Sequence, residues 1–76
     1  MKVSLLYFGP VRDRAGRTTE DADIDAGTTL HTLFVERFPD LLALPIAYAR
    51  NGAYADAHDV AQDGDEIAFL PPVGGG

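Results

Sequence analysis

Two short stretches near the start of the chain have the composition of β-strands. Residues 3–8 (VSLLYF) form an apolar run rich in strand-forming residues, and Gly9-Pro10 ends it. Because the run is apolar at successive positions, it predicts a strand that is covered on both faces or nearly so. Residues 18–24 (TTEDADI) are more polar, and their charges are typical of an edge strand. Residues 11–17, between the two, are predicted to form a loop or a single helical turn.

A single amphipathic helix follows these strands. Its apolar residues recur at the i, i+3, i+4, i+8 spacing of one helix face: Leu30, Leu33, Phe34 and Phe38. Thr29 is a candidate N-cap, because its hydroxyl can accept a hydrogen bond from an unpaired backbone N–H of the first turn. Pro39 ends the helix, since proline cannot continue the hydrogen-bond ladder. The helix is therefore expected to cover one face of a sheet.

The second half of the chain predicts three more strands. Residues 46–50 and 53–55 flank Asn51-Gly52, a strong hairpin signal because both residues tolerate the positive φ of a type I′ turn. Residues 66–70 form the last strand, which can return parallel to the first in the middle of the sheet. This order predicts an α+β fold of the ubiquitin-like β-grasp type, a mixed sheet of about five strands with one main helix across one face. The predicted domain spans residues 1–70.

Residues 71–76 are predicted to be an extended, flexible C-terminal tail. Pro71-Pro72 favours a stiff, extended backbone, and Gly74, Gly75 and Gly76 lack a β-carbon, so they can pass through a narrow channel. Fully extended, these residues reach roughly 20 Å, enough to place the terminal carboxylate in a partner's active site. The alternative interpretation is a frayed chain end, which is common for glycine-rich termini.

The composition limits the size and the chemistry of the protein. Its 76 residues are enough for one domain, and without cysteine it has no disulfide, thiol nucleophile or thiolate metal site. His31 and His58 are isolated from each other in the sequence, so a metal site has little support. No phosphate loop is present either, so we expect a chain that is not catalytic alone and that binds no cofactor itself.

The formal net charge of −6 arises from 12 acidic and 6 basic residues. It argues against unassisted binding to nucleic acid or to an anionic membrane. No run approaches the ~18 apolar residues of a membrane span, and the chain begins as a strand rather than a signal peptide, so we expect a cytoplasmic protein. Arg12, Arg14 and Arg17 form either a cationic patch for an acidic partner or a phosphate, or a solvated loop paired with nearby carboxylates.

Several motifs together resemble one known family. They are VSLLYFG at residues 3–9 followed by Val11-Arg12, the Thr29-Leu30 helix start with Leu33, the Asn51-Gly52 turn and DGDEIAFLPPVGGG at residues 63–76. This set resembles the small subunits of molybdopterin synthase, the MoaD-type sulfur carriers of the ubiquitin-like MoaD/ThiS family. The resemblance covers essentially the whole chain, and its C-terminal part is the most specific. Thiamine-pathway carriers of the same fold generally lack the Pro-Pro pair.

The resemblance implies a function for the C-terminal carboxylate. In such carriers a ubiquitin-activating-like partner enzyme uses ATP to adenylate the terminal glycine, here Gly76, and a sulfur donor protein supplies the sulfur of a thiocarboxylate. The tail then enters the large subunit of a heterotetrameric molybdopterin synthase and donates sulfur to a pterin precursor of the molybdenum cofactor. The resemblance also implies that ATP is bound by the activating enzyme.

The resemblance assigns residues to this function as well. Gly75 and Gly76 would thread the narrow channel, and the residues before them would form the surface that docks on a partner: Phe69, Leu70, Pro71, Pro72, Val73 and Gly74. Because successive strand residues point to opposite faces, at least one of Phe69 and Leu70 is expected to face the core. The family usually has a side chain where this sequence has Gly74, which predicts a more flexible tail.

Other functions remain open from the sequence. A sulfur carrier of the same fold can serve thiamine, cysteine or transfer-RNA thiolation, or the chain can be a protein modifier that is conjugated to lysines. A different class is a β-grasp binding module whose tail is never activated. Deletion of the tail separates these classes, because it abolishes sulfur transfer but leaves binding by such a module unchanged.

Overall fold

A computed structural model of the protein describes residues 1–72. It contains five strands, β1 (Lys2–Tyr7), β2 (Thr19–Asp23), β3 (Ala47–Arg50), β4 (Ala53–Ala55) and β5 (Glu66–Leu70). Two helices, α1 (Gly9–Ala15) and α2 (Leu30–Arg37), and a 3-10 turn (Pro39–Leu41) complete the elements. The predicted order of strands and main helix is confirmed, with boundaries that differ by a residue or two.

The five strands form one mixed sheet in the order β2-β1-β5-β3-β4. The last strand, β5, lies at its centre, parallel to β1 and antiparallel to β3. The hairpins β1–β2 and β3–β4 flank it, each with antiparallel pairing. The predicted ubiquitin-like β-grasp is therefore confirmed, including the central position of the strand that leads into the tail.

Helix α1 is longer than the sequence indicated. Instead of a loop or a single turn, Gly9–Ala15 forms a seven-residue helix with Pro10 in its first turn, a position where proline is tolerated. Gly16 ends the helix with φ of 74°, and its N–H donates to the Arg12 carbonyl. This left-handed glycine is a common way to end a helix.

Helix α2 begins and ends where the sequence predicts. The Thr29 hydroxyl oxygen accepts a hydrogen bond from the Thr32 N–H at 3.1 Å, so Thr29 is the N-cap. The helix ends at Arg37, and Pro39 opens the 3-10 turn that follows Phe38. Leu30, Leu33 and Phe34 are buried, as their spacing indicated.

The core lies between α2 and one face of the sheet. Phe69 on β5 is fully buried at the centre of an aromatic cluster, and four ring centroids lie 5.3 to 6.3 Å from its own: those of Tyr7, Phe34, Phe38 and Tyr48. Such edge-on and offset contacts stabilise beyond their buried area. The residue two positions before the tail is thereby held by side chains from β1, β3 and α2.

No helix within residues 1–72 is long and apolar enough to cross a membrane.

Candidate functional site

The tail begins at the end of the central strand. The strand ends at Leu70, and Pro71 and Pro72 follow outside it. Phe69 has none of its surface exposed, whereas Leu70 is partly exposed. The prediction that one of this pair faces the core is confirmed. The prediction that Phe69 belongs to a docking surface is wrong, because strand alternation turns its side chain into the core.

A close backbone approach holds the base of the tail. Gly9, at the junction of β1 and α1, has φ of 52°, and a β-carbon built on it would lie 3.1 Å from Cγ of Pro71. A glycine suits this position for two reasons, since it accepts positive φ and leaves room for the proline ring. The start of the tail therefore rests against the start of α1.

A row of side chains crosses the sheet on the face opposite α2. The strand register pairs Leu6 with Ala68, Ala68 with Ala49, and Ala49 with Tyr54. Tyr54 is 85% exposed, the most exposed large apolar side chain among residues 1–72, and Leu6 is half-buried. The sequence indicated that β1 is covered on both faces or nearly so; the face toward α2 is buried, and the opposite face is partly covered, with Ser4 and Leu6 half-buried.

The same face continues to the base of the tail. Phe8 follows β1 with extended backbone angles, φ of −135° and ψ of 153°, and is 43% exposed. Leu70 lies two residues beyond Ala68 on β5 and so on the same face. These residues form what we call the open-face patch: Leu6, Phe8, Ala49, Tyr54, Ala68 and Leu70. Phe8 and Tyr54 are exposed, the others are partly exposed, and only Ala68 is buried. An apolar surface with exposed aromatic side chains is typical of a protein interaction site.

Sequence reasoning missed most of the open-face patch. It selected Leu70 but neither Phe8 nor Tyr54. The signal was present in the period of two along the strands, because a residue adjacent to a buried one in a strand points to the other face. This period alone does not identify the patch, because the pairing of distant strands must also be known before Leu6 and Tyr54 can be placed in one row.

The arginines near α1 are mainly paired with carboxylates. Arg14 Nε lies 2.6 Å from Asp40 Oδ2, and Arg17 lies 3.8 Å from Glu20. Arg12 is half exposed, and its Nε is 3.9 Å from Asp13, a distance at which an exposed pair contributes little. All three arginines thus lie within 4.0 Å of a carboxylate, but only the Arg14–Asp40 pair is at hydrogen-bond distance.

A partly buried network of hydrogen bonds joins β1, β2 and α2. The Tyr7 hydroxyl donates to Glu20 Oε1 at 2.7 Å, and Arg37 Nη1 donates to the same oxygen at 3.1 Å. Burial raises the pKa of Tyr7 well above its ordinary value, and the neighbouring Glu20 raises it further. The hydrogen bond from Tyr7 lowers the pKa of Glu20. The network therefore holds a neutral tyrosine against a charged carboxylate.

A second network lies where β5 begins, away from the tail. Asn51 Nδ2 donates to Asp65 Oδ1 at 3.0 Å, and the Gln62 N–H donates to Asp65 Oδ2 at 2.8 Å. Burial raises the pKa of Asp65, but these hydrogen bonds and the charge of Arg50 outweigh it, so the pKa lies below its ordinary value. The network ties the β3–β4 turn to the start of β5.

Within residues 1–72, no three side chains of His, Cys, Asp or Glu are grouped to hold a metal ion. His31 Nδ1 lies 3.3 Å from the Tyr48 hydroxyl instead. The predicted site residues Val73, Gly74, Gly75 and Gly76 lie outside the described residues. The predicted Leu70, Pro71 and Pro72 are at the base of the tail, next to Phe8 and Gly9.

Residues 5–76 match the model of the ThiS family. A molybdopterin synthase sulfur carrier subunit from Mycobacterium tuberculosis is 35% identical over an alignment covering 100% of this chain and 99% of the relative. The structure of small archaeal modifier protein 1 from Haloferax volcanii is similar with a TM-score of 0.79 at 27% identity, covering 95% of this chain and 98% of that one. Subunits 1 and 2 of a molybdopterin-converting factor from Helicobacter pylori form a complex in which one chain is similar with a TM-score of 0.67 at 28% identity, over 100% of both chains.

Proposed function

The chain belongs to the ThiS family, and from this premise we propose that it is the sulfur carrier subunit of a molybdopterin synthase. The observation that carries the proposal is the anchoring of the tail. A carrier needs a rigid base and a reactive end that a partner can take up. Here the central strand β5, fixed through Phe69, leads directly into Pro71-Pro72 and the terminal glycines.

The reacting group in this proposal is the carboxylate of Gly76. A carboxylate is a poor electrophile, so an activating enzyme of the ubiquitin-activating type transfers AMP from ATP to it and releases pyrophosphate. Hydrosulfide released by a sulfur donor protein then attacks the acyl carbon and AMP leaves, which yields the thiocarboxylate. The chain supplies only the acyl group, and Gly75 and Gly76 admit it to narrow active sites because neither has a side chain.

The open-face patch is the proposed docking surface for the large subunit and for the activating enzyme. It adjoins the base of the tail through Phe8 and Leu70, so a partner that covers it also receives the tail. Tyrosine and phenylalanine are enriched in protein interfaces relative to the rest of the protein surface.

The proposal is tested by the intact mass of the full chain after incubation with ATP, an activating enzyme and a sulfur donor. Replacement of one terminal oxygen by sulfur is the expected result. The mass change is expected to disappear when Gly76 is deleted or one residue is appended after it, with the thermal unfolding of both variants unchanged. A wild-type chain that stays unmodified beside an activating enzyme proven on another carrier would contradict the proposal.

A second candidate function is conjugation to lysines of other proteins, and the likeness to small archaeal modifier protein 1 favours it. The two functions share adenylation of Gly76 and differ in the acceptor. With the large subunit and a pterin precursor present, sulfur transfer restores the unmodified carboxylate. A modifier instead gives an isopeptide-linked product of higher mass.

A further inference from the structure

The turn between β3 and β4 contains a chemically reactive dipeptide, Asn51-Gly52. When glycine follows asparagine, its unhindered backbone nitrogen can attack Cγ of the asparagine side chain. The new C–N bond closes a succinimide, the bond to the side-chain nitrogen breaks, and ammonia leaves. Water then opens the ring to aspartate or isoaspartate. Asn51 is the only asparagine in the sequence, so this reaction has one site.

The folded turn holds the Asn51 side chain away from this reaction. Its Oδ1 accepts a hydrogen bond from the Glu66 N–H at 2.9 Å, and its Nδ2 donates to Asp65 Oδ1 at 3.0 Å. The Asn51 N–H also donates to the Glu66 carbonyl at 2.8 Å. Both polar atoms of the carboxamide therefore bond to the start of β5, and they must leave it before Cγ can turn toward the Gly52 nitrogen.

Asp65, which accepts the hydrogen bond from Asn51 Nδ2, is itself held in place. Asp65 is only 8% exposed, and its second oxygen accepts a hydrogen bond from the Gln62 N–H at 2.8 Å. Arg50 Nε lies 3.9 Å from the same oxygen, and Arg50 Nη1 donates to the Val60 carbonyl at 2.9 Å. Because Asp65 is fixed, it cannot follow the Asn51 side chain, and release of Asn51 breaks both of its side-chain hydrogen bonds to the start of β5.

We infer that Asn51 is a deamidation site that the fold keeps unreactive and that reacts when the β3–β4 turn detaches from β5. The product weakens reattachment, because a carboxylate at this position has no N–H to donate to Asp65 and adds a second negative charge beside it. Deamidation is therefore a covalent change that follows detachment of the turn from β5, and it makes further detachment more frequent. This inference does not depend on the activation of Gly76.

The test follows the deamidation of the full chain by intact mass and peptide mapping in mildly alkaline buffer. We expect the reaction to be at least roughly tenfold slower in the folded protein than in urea above its unfolding midpoint, since bonds to charged groups must break first. An Asn51→Ser chain, which has no asparagine, is the blank for the mass change. Equal rates in folded and unfolded wild-type protein would overturn the inference.

Two variants test the role of Asp65. Asp65→Ser removes the acceptor of Asn51 Nδ2 and is expected to accelerate deamidation under folding conditions. Asp59→Ser is the matched control, because Asp59 accepts a hydrogen bond from the Asp56 N–H and none from Asn51. The urea midpoint of each variant identifies conditions in which both are folded. Equal rates for both variants there would exclude Asp65 as the restraint.

The consequence of the reaction is measured on Asn51→Asp, which reproduces one product. Its urea midpoint is expected to fall below that of the wild-type chain. An unchanged midpoint would overturn the claim that deamidation promotes opening, even if the folded chain proves to be protected.

Discussion

The tyrosine side chains near β5 differ in their hydrogen-bond partners, and this difference determines how much each hydroxyl contributes to the free energy of unfolding. The Tyr7 hydroxyl donates to the charged Glu20 carboxylate at 2.7 Å, whereas the Tyr48 hydroxyl meets a ring nitrogen of His31 at 3.3 Å. Both tyrosines pack their rings against Phe69. Removal of the two hydroxyls therefore compares a charge-assisted hydrogen bond with a weaker one in the same core.

We expect Tyr7→Phe to lower the free energy of unfolding by about 2 kcal/mol and Tyr48→Phe by about 1 kcal/mol, since hydrogen bonds to charged groups contribute more. Urea unfolding monitored by circular dichroism measures both values. Tyr48→Phe is the control, because it loses a hydroxyl from the same aromatic cluster. A larger decrease in the free energy of unfolding for Tyr48→Phe than for Tyr7→Phe would contradict the expectation that the Tyr7–Glu20 hydrogen bond contributes more.

The lowered pKa of Asp65 predicts a dependence of stability on pH. A carboxyl whose pKa is lower in the folded than in the unfolded state stabilises the fold above the unfolded pKa, and this contribution is lost as pH falls through the folded pKa. We expect the urea midpoint to decrease when the pH is lowered below about 4, near the ordinary pKa of aspartate. Glu20 contributes in the same direction, because its pKa is also lowered.

Asp65→Asn should flatten this acid dependence and lower the midpoint at neutral pH. Asp13→Asn is a suitable comparison, because the Asp13 side chain is 79% exposed and its ion pair with Arg12 is long. If both variants keep the full acid dependence of the wild-type chain, the coupling of Asp65 to folding is disproved.

At the scale of elements, helix α2 and strand β5 depend on different interactions. The helix begins with a local contact, the Thr29 N-cap, and its buried residues pack on the sheet. The strand depends on two neighbours that are distant from it in the sequence, β1 near the start of the chain and β3 in its second half. Local changes to the cap should therefore weaken α2 without moving the base of the tail.

We expect Thr29→Ala to lower the free energy of unfolding by about 1 kcal/mol, the usual loss for an N-cap side chain. Thr29→Ser retains a hydroxyl at the cap and should recover most of the loss. Thermal unfolding of the two variants tests this expectation. The Thr29→Ala chain should still become thiocarboxylated, and a loss of modification with the fold intact would show that the helix start acts directly on the tail.

At the scale of the whole molecule, the sheet separates two surfaces. One face is covered by α2, and the other carries the open-face patch and ends beside the tail. The two faces provide a matched pair of exposed apolar side chains. Tyr54 is 85% exposed in the patch, while Leu42 is 54% exposed on the side of α2, where it lines a cavity with Phe34 and Tyr48.

Truncation of this pair tests the proposed docking surface. Tyr54→Ala should weaken binding to the large subunit roughly tenfold, the loss typical of an aromatic interface residue, while Leu42→Ala leaves the affinity unchanged. Isothermal titration calorimetry gives both affinities, and thermal unfolding checks that the variants are folded. Equal weakening by both substitutions would argue against the open-face patch as the interface.

The sequence by itself determined the features that depend on neighbours in the chain. The Thr29 cap, the spacing of Leu30, Leu33 and Phe34, and the end of α2 before Pro39 all follow from interactions within a few residues. The Asn51-Gly52 turn is equally local, and both residues have the positive φ that the dipeptide indicated. The C-terminal motif that suggested the family is also a short stretch.

Only the tertiary structure decided which faces of the strands are covered. Phe69 and Leu70 are adjacent and both apolar, but the pairing of β5 with β1 and β3 buries the first and leaves the second at the surface. The same pairing places Leu6 and Tyr54, far apart in the chain, in one exposed row. Strand pairing is a long-range interaction, and a one-residue change of register would exchange the two faces. A local pattern cannot specify it.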